Sequence, residues 1–177
     1  MGTEGLTCFN DLATQAAQRA LLECCGARRW AQQMAAARPY ASAWDAIELS
    51  DAIVAGLAAD ELAEALAGHP RIGQRPDSNP RTSQDGATAA AWSSQEQAGV
   101  DVASGDTRKA LTAANLEYEE RFGHIYLVCA AGRTGKELLA VLRGRLQNDP
   151  EDEWQVVRAE LQKINALRLE QLLAGSP

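Results

Sequence analysis

Asp149-Pro150-Glu151-Asp152 opens the stretch on which the fold turns. An aspartate can accept from the free backbone N–H groups at a helix start, a proline is preset for the first helical position, and acidic residues in the first turn meet the positive end of the helix dipole. The spacing predicts a long helix to about Leu173. Working back along the chain, Lys136 to Leu146 reads as another helix. Asp106 starts a third, with Leu111, Ala114, Tyr118 and Phe122 on one face and Gly123 at its end. Between them, Ile125-Tyr126-Leu127-Val128-Cys129-Ala130 is a wholly apolar run that periodicity alone does not assign, and buried extended chain is one reading of it. Towards the N-terminus, Asn10 is expected to cap a helix over 11–25 that Gly26 ends. A short helix should hold Trp30 and Met34 and stop before Pro39, and one or two more should lie between Ala43 and Ala67, with Asp60 as an internal cap. The chain has 34 alanines and only 5% aromatic residues, which favours close-packed helices over a sheet. The expectation is an all-α fold of about seven to nine helices.

At 177 residues the chain fits one domain, residues 1–177, with a single core. The texture changes at Gly68: His69-Pro70, Arg75-Pro76 and Asn79-Pro80 follow with no apolar period, which predicts one long loop over about 70–90. Residues 174–177 are expected to trail from the last helix as a flexible tail. A net charge of −7 argues against a nucleic-acid backbone as partner. No apolar run approaches the roughly 20 residues that span a bilayer, and the N-terminus lacks a basic segment followed by an apolar one. The expectation is a soluble, cytoplasmic chain with no membrane partner. The vicinal pair Cys24-Cys25 has no metal-ligand spacing, and together with Cys8 and Cys129 reads as reduced thiols.

Few groups invite chemistry. Gly132-Arg133-Thr134-Gly135-Lys136-Glu137 lacks the first glycine of a phosphate loop, which would stand at Ala130, and has Glu137 where the hydroxyl residue belongs. Two histidines, His69 and His124, rule out a multi-histidine metal site, and no metal is expected. His69 directly follows a helix end and precedes a proline that fixes the chain, so its ring can face a cleft. Imidazole is the side chain suited to proton transfer near neutrality. Ser93-Ser94-Gln95-Glu96 has the pattern of a capping box, and with Gln97 it also places a hydroxyl, a carboxylate and an amide around one helix start, where they can converge on a polar planar ligand. Arg168 lies on the last amphipathic helix, where an arginine by itself is usually a solvated charge.

Taken in order, Asn10-Asp11-Leu12, Cys24-Cys25-Gly26, Trp30, Arg38-Pro39, His69-Pro70-Arg71-Ile72-Gly73, Ser93 to Gly99, Asn115-Leu116-Glu117-Tyr118, Arg121-Phe122-Gly123, Cys129 with Gly132-Arg133, Arg143 to Asn148, and Arg168-Leu169 resemble the OHCU decarboxylases. The name stands for 2-oxo-4-hydroxy-4-carboxy-5-ureidoimidazoline decarboxylase, the last enzyme in the oxidation of urate to allantoin. The likeness spans almost the whole chain. It implies an all-α domain that works without metal or organic cofactor on a small-molecule substrate, yielding (S)-allantoin. It places the family's catalytic histidine, glutamate and arginine on His69, Glu96 and Arg168. Pro70, Ser93 and Gln97 fall on substrate-contacting positions, as does the backbone after Phe122-Gly123, at His124, Ile125 and Tyr126. Some relatives are dimers, so a homodimer is among the expectations.

Two departures stand out. Many relatives read Phe-Gly-Phe-Pro-Phe where this chain has Phe122-Gly123-His124-Ile125-Tyr126, and the stretch from His69 to Ser93 is longer than in some members. The expected chemistry has His69 as proton donor, with a further role on the ring hydroxyl. Glu96 and Gln97 hold ureido and ring N–H groups, and Arg168 anchors an oxygen that keeps or gains charge. Two other readings compete. A helical interaction module that had lost activity would be marked by loss of His69, Glu96 or Arg168, and all three are present. A ureide hydrolase would need a metal cluster or an activated nucleophile, neither of which the sequence displays.

Overall fold

The computed structural model describes residues 2–73, 92 and 105–175. Among these it has eight helices and no strand: α1 (Gly2–Asn10), α2 (Thr14–Cys24), α3 (Arg28–Ala36), α4 (Ala43–Ala55), α5 (Ala59–Ala67), α6 (Gly105–Phe122), α7 (Gly135–Arg145) and α8 (Pro150–Ala174). The long helix begins as its sequence predicts. Asp149 accepts from the Glu151 N–H at 3.0 Å, and Pro150 stands in the first turn. It runs through Ala174, and Gly175, at φ 71°, supplies the left-handed turn that ends it, so these two residues form the helix end and not a trailing tail, while 176 and 177 lie outside the described residues. At the start of α7, Thr134 and Glu137 cap each other's backbone N–H groups.

The N-terminal reading needs correction. Asn10 ends α1 instead of capping a helix. Its side chain is spent on Tyr40, donating to the Tyr40 carbonyl at 2.9 Å and accepting from the Tyr40 N–H at 3.0 Å. The carbonyls left over around the end of α1 are taken by Arg38, which donates to Phe9 and Leu12 at 2.8 Å each. The helix α1 was not foreseen because it is held by α8, where Gly5 packs directly on the backbone of Leu173 to Gly175. Asp60 is likewise not the internal cap: Glu61 reaches back to the Ala58 N–H at 2.8 Å.

Two apolar clusters fill the interior. The larger gathers Trp30, Met34, Leu21 and Leu62 with Trp92 and the α8 residues Val157, Leu161 and Leu169. The smaller joins Ile72, Leu111, Tyr118, Leu138 and Leu142. The run 125–130 lies between them. Ile125, Leu127 and Cys129 pack on the larger cluster, while Tyr126, Val128 and Ala130 pack on the smaller, the period-two alternation of extended chain. No regular element is assigned there. That accounts for the absence of a polar face in its sequence: both sides are buried.

Candidate active site

His69 sits two residues beyond the end of α5, and the chain folds back so that its ring meets the helix it has just left. The His69 N–H donates to the Leu66 carbonyl at 3.0 Å, and Nδ1 lies 2.9 Å from the Ala65 carbonyl. A carbonyl only accepts, so Nδ1 carries the hydrogen and, in the neutral ring, Nε2 presents a lone pair. The residue as a whole is partly exposed, but Nε2 is sealed from solvent and has no hydrogen-bond partner. Desolvation is the largest influence on the ring and the nearby Arg168 cation adds to it. Together they outweigh the Ala65 carbonyl, which favours the cation, and the pKa is lowered to about 4. At neutral pH this imidazole is uncharged.

The segment after His69 is pinned at two points. Arg71 makes a two-pronged ion pair with Glu119 of α6, at 2.5 and 2.8 Å, and the buried Ile72 carbonyl accepts from Asn115 Nδ2 at 3.0 Å. Pro70 removes freedom between His69 and that anchor. The pair is near the surface and contributes little stability, but its fork geometry fixes direction. Asn115 and Glu119, four residues apart, share a face of α6. Their positioning role was missed in the sequence, where the i, i+4 spacing was the available signal.

Arg168 comes from α8 and is buried, with 3% of its surface exposed. Its guanidinium donates to the Cys24 carbonyl at 3.1 Å, at the negative end of α2. The next residue, Cys25, is buried, and desolvation raises its thiol pKa against the opposing pull of Arg168. This keeps it protonated and unsuited to act as a nucleophile. The structure therefore brings together His69, from the end of α5, and Arg168, from α8, with the α2 terminus beside them. All four cysteines are free thiols.

Glu96, Ser93 and Gln97 lie outside the described residues. The other expected contacts divide. Ile125 packs against the larger cluster. The Tyr126 side chain faces the smaller one, where its hydroxyl donates to the Leu138 carbonyl at 3.2 Å, so any contact it makes with a ligand falls to its backbone. His124 stacks on Trp154 with ring centroids 4.1 Å apart and meets Tyr118 edge-on at 5.5 Å. Burial lowers its pKa. Among the described residues no group of three or more His, Cys, Asp or Glu could hold a metal ion, and no helix is long and apolar enough to cross a membrane.

The model of the OHCU decarboxylase family matches residues 10–170. The chain is 30% identical over 151 residues to the uric acid degradation bifunctional protein TTL of Arabidopsis thaliana, covering 85% of this chain and 45% of that protein. It is 36% identical over 113 residues to the 2-oxo-4-hydroxy-4-carboxy-5-ureidoimidazoline decarboxylase of Mus musculus, covering 60% of this chain and 64% of that one. The match thus spans under two thirds of either relative's length. Among solved structures, an OHCU decarboxylase crystallised in the presence of (S)-allantoin superposes with a TM-score of 0.73 at 28% identity, covering 88% of this chain and 97% of that one.

Proposed function

The chain belongs to the OHCU decarboxylase family, and on that premise we propose that it converts 2-oxo-4-hydroxy-4-carboxy-5-ureidoimidazoline to (S)-allantoin and CO2. One observation carries the reading: a neutral imidazole whose Nε2 is buried and unpartnered, set beside the buried guanidinium of Arg168.

The substrate bears a carboxylate and a hydroxyl on one ring carbon and a ureido group on the next. When the C–C bond to the carboxylate breaks, its electrons pass into the adjoining C=N, so no separate electron sink is needed. The hydroxyl then gives up its proton as that carbon becomes a carbonyl, and the neighbouring carbon gains a proton as the stereocentre. For the ionised carboxylate, the balance takes one further proton from solvent to the ring nitrogen. A neutral imidazole takes a proton before it gives one, so His69 Nε2 first accepts the hydroxyl hydrogen and then, as imidazolium, delivers it to one face. Arg168 holds an oxygen whose charge grows along this path, since holding the leaving carboxylate more tightly than the transition state would slow the step. Glu96, Ser93, Gln97 and Pro70, with the backbone of 124–126, complete the proposed contacts, and a homodimer stays part of the proposal.

The test supplies freshly oxidised urate with the preceding hydrolase and follows optical activity, comparing wild type with His69→Ala in the presence of a chelator. Rapid, chelator-resistant formation of (S)-allantoin that disappears in the variant is expected. No gain over the racemic background would favour the inactive interaction module, and full activity in His69→Ala would discard the histidine's role.

A further inference from the structure

Asn165 lies one helical turn before Arg168 on α8, so the two side chains leave the helix on the same face. It is fully buried, yet neither Nδ2 nor Oδ1 has a hydrogen-bond partner. The Cys25 thiol adjoins the amide and feels its N–H, but a thiol is a weak partner and the contact falls short of a hydrogen bond. A buried primary amide left unsatisfied is costly, and an apolar residue of similar size at this position would avoid that cost. His69 Nε2 is unpartnered in the same way, and it is linked to this place through Arg168, whose charge acts on both His69 and Cys25. Near Arg168, therefore, lie an imidazole lone pair and, one turn away on the same face of α8, a buried amide offering one donor side and one acceptor side.

We propose that Asn165 is a substrate-recognition residue, its amide pairing in two hydrogen bonds with an edge of the ligand that presents C=O and N–H side by side. The inference rests on the proposed decarboxylase reading and deepens it. The substrate named there has two such edges, one in the 2-oxo ring and one in the ureido group. An amide matches either, because its carbonyl accepts from the ligand N–H while its NH2 donates to the ligand C=O.

Asn165→Ala removes both groups without adding bulk. Asn165→Thr keeps the volume and can satisfy its hydroxyl on its own helix. Steady-state kinetics, binding of (S)-allantoin and of hydantoin by calorimetry, and thermal denaturation are measured for both variants. The expected result is a KM raised, and (S)-allantoin binding weakened, roughly ten- to a hundredfold, with Tm unchanged or higher because an unsatisfied amide has left the interior. Equal weakening of hydantoin, which carries the ring edge alone, assigns that edge. Weakening of (S)-allantoin only assigns the ureido edge. A lowered Tm with unchanged KM and ligand affinity in either variant that folds would overturn the inference and make Asn165 a structural residue. A wild-type protein with no decarboxylase activity would instead remove the reading beneath it.

Discussion

The Arg168 guanidinium lies close enough to the His69 ring to oppose its protonation, and with desolvation it brings the imidazole pKa to about 4. The two residues are 99 positions apart in sequence, and a cation placed beside a histidine makes it a base that stays uncharged at neutral pH.

That relationship sets the pH dependence. The acid limb of kcat/KM is expected near 4 instead of the ordinary 6.5, provided the proton is taken by the neutral ring. Titration of the His69 Cε1–H by NMR should give the same value, and Arg168→Met should move it upward. The second histidine is identified by a His124→Gln variant. A limb and a titration both near 6.5 would show that the ring is solvated and the proposed base wrongly placed.

The same shift bears on stability. Since the folded pKa lies below the unfolded value, the unfolded chain binds more protons between pH 6.5 and 4. Stability contributed by neutral His69 is therefore present above 6.5 and is lost as pH falls through that window, by up to about 3 kcal/mol. Urea denaturation of wild type and His69→Gln at pH 7 and pH 4.5 checks it: the pH-dependent loss should be smaller in the variant.

Arg168→Lys keeps the charge but loses the planar fork. We expect kcat/KM to fall by about a hundredfold or more, because a point charge does not hold an oxygen while also satisfying the Cys24 carbonyl. Retention of activity within threefold would mean that charge alone suffices.

Within the smaller cluster, Glu153 is fully buried and accepts from Arg145 and from the Tyr118 hydroxyl, while Asn148 Nδ2 donates to it at 2.7 Å. Glu153→Ala would strand the buried Arg145 cation and should cost about 3–5 kcal/mol in urea denaturation. Loss below 1 kcal/mol would show that water reaches the site.

Gly5→Ala tests the docking of α1. An added Cβ would stand 2.5 Å from the Leu173 carbonyl oxygen and the Gly175 nitrogen, so the helices must part. The expected cost is about 1–3 kcal/mol, read as a lower Tm, with kcat at 25 °C within twofold of wild type. An unchanged Tm would mean that α1 is not held against α8.

The sequence by itself determined the helical class and several helix ends, because caps, prolines and glycines act on backbone groups a few residues away: Asp149 and Pro150 begin α8, and Gly123, at φ 75°, follows α6. It also singled out His69 through the helix end and the proline beside it, whereas Arg168 was reached only through the family resemblance. What only the tertiary structure decided is where polar residues on helices end up. Asn10 looks like a cap but serves Tyr40, and Glu153 looks like one more acidic residue in a first turn but closes on Arg145. Asn165 looks like a surface amide on an amphipathic helix but has no solvent contact. A helical residue carries the same local signal whether its face meets water or another helix. The choice is made by packing partners far along the chain, as when the Cys24 carbonyl receives a guanidinium from 144 residues away, and desolvation then turns an ordinary side chain into a site.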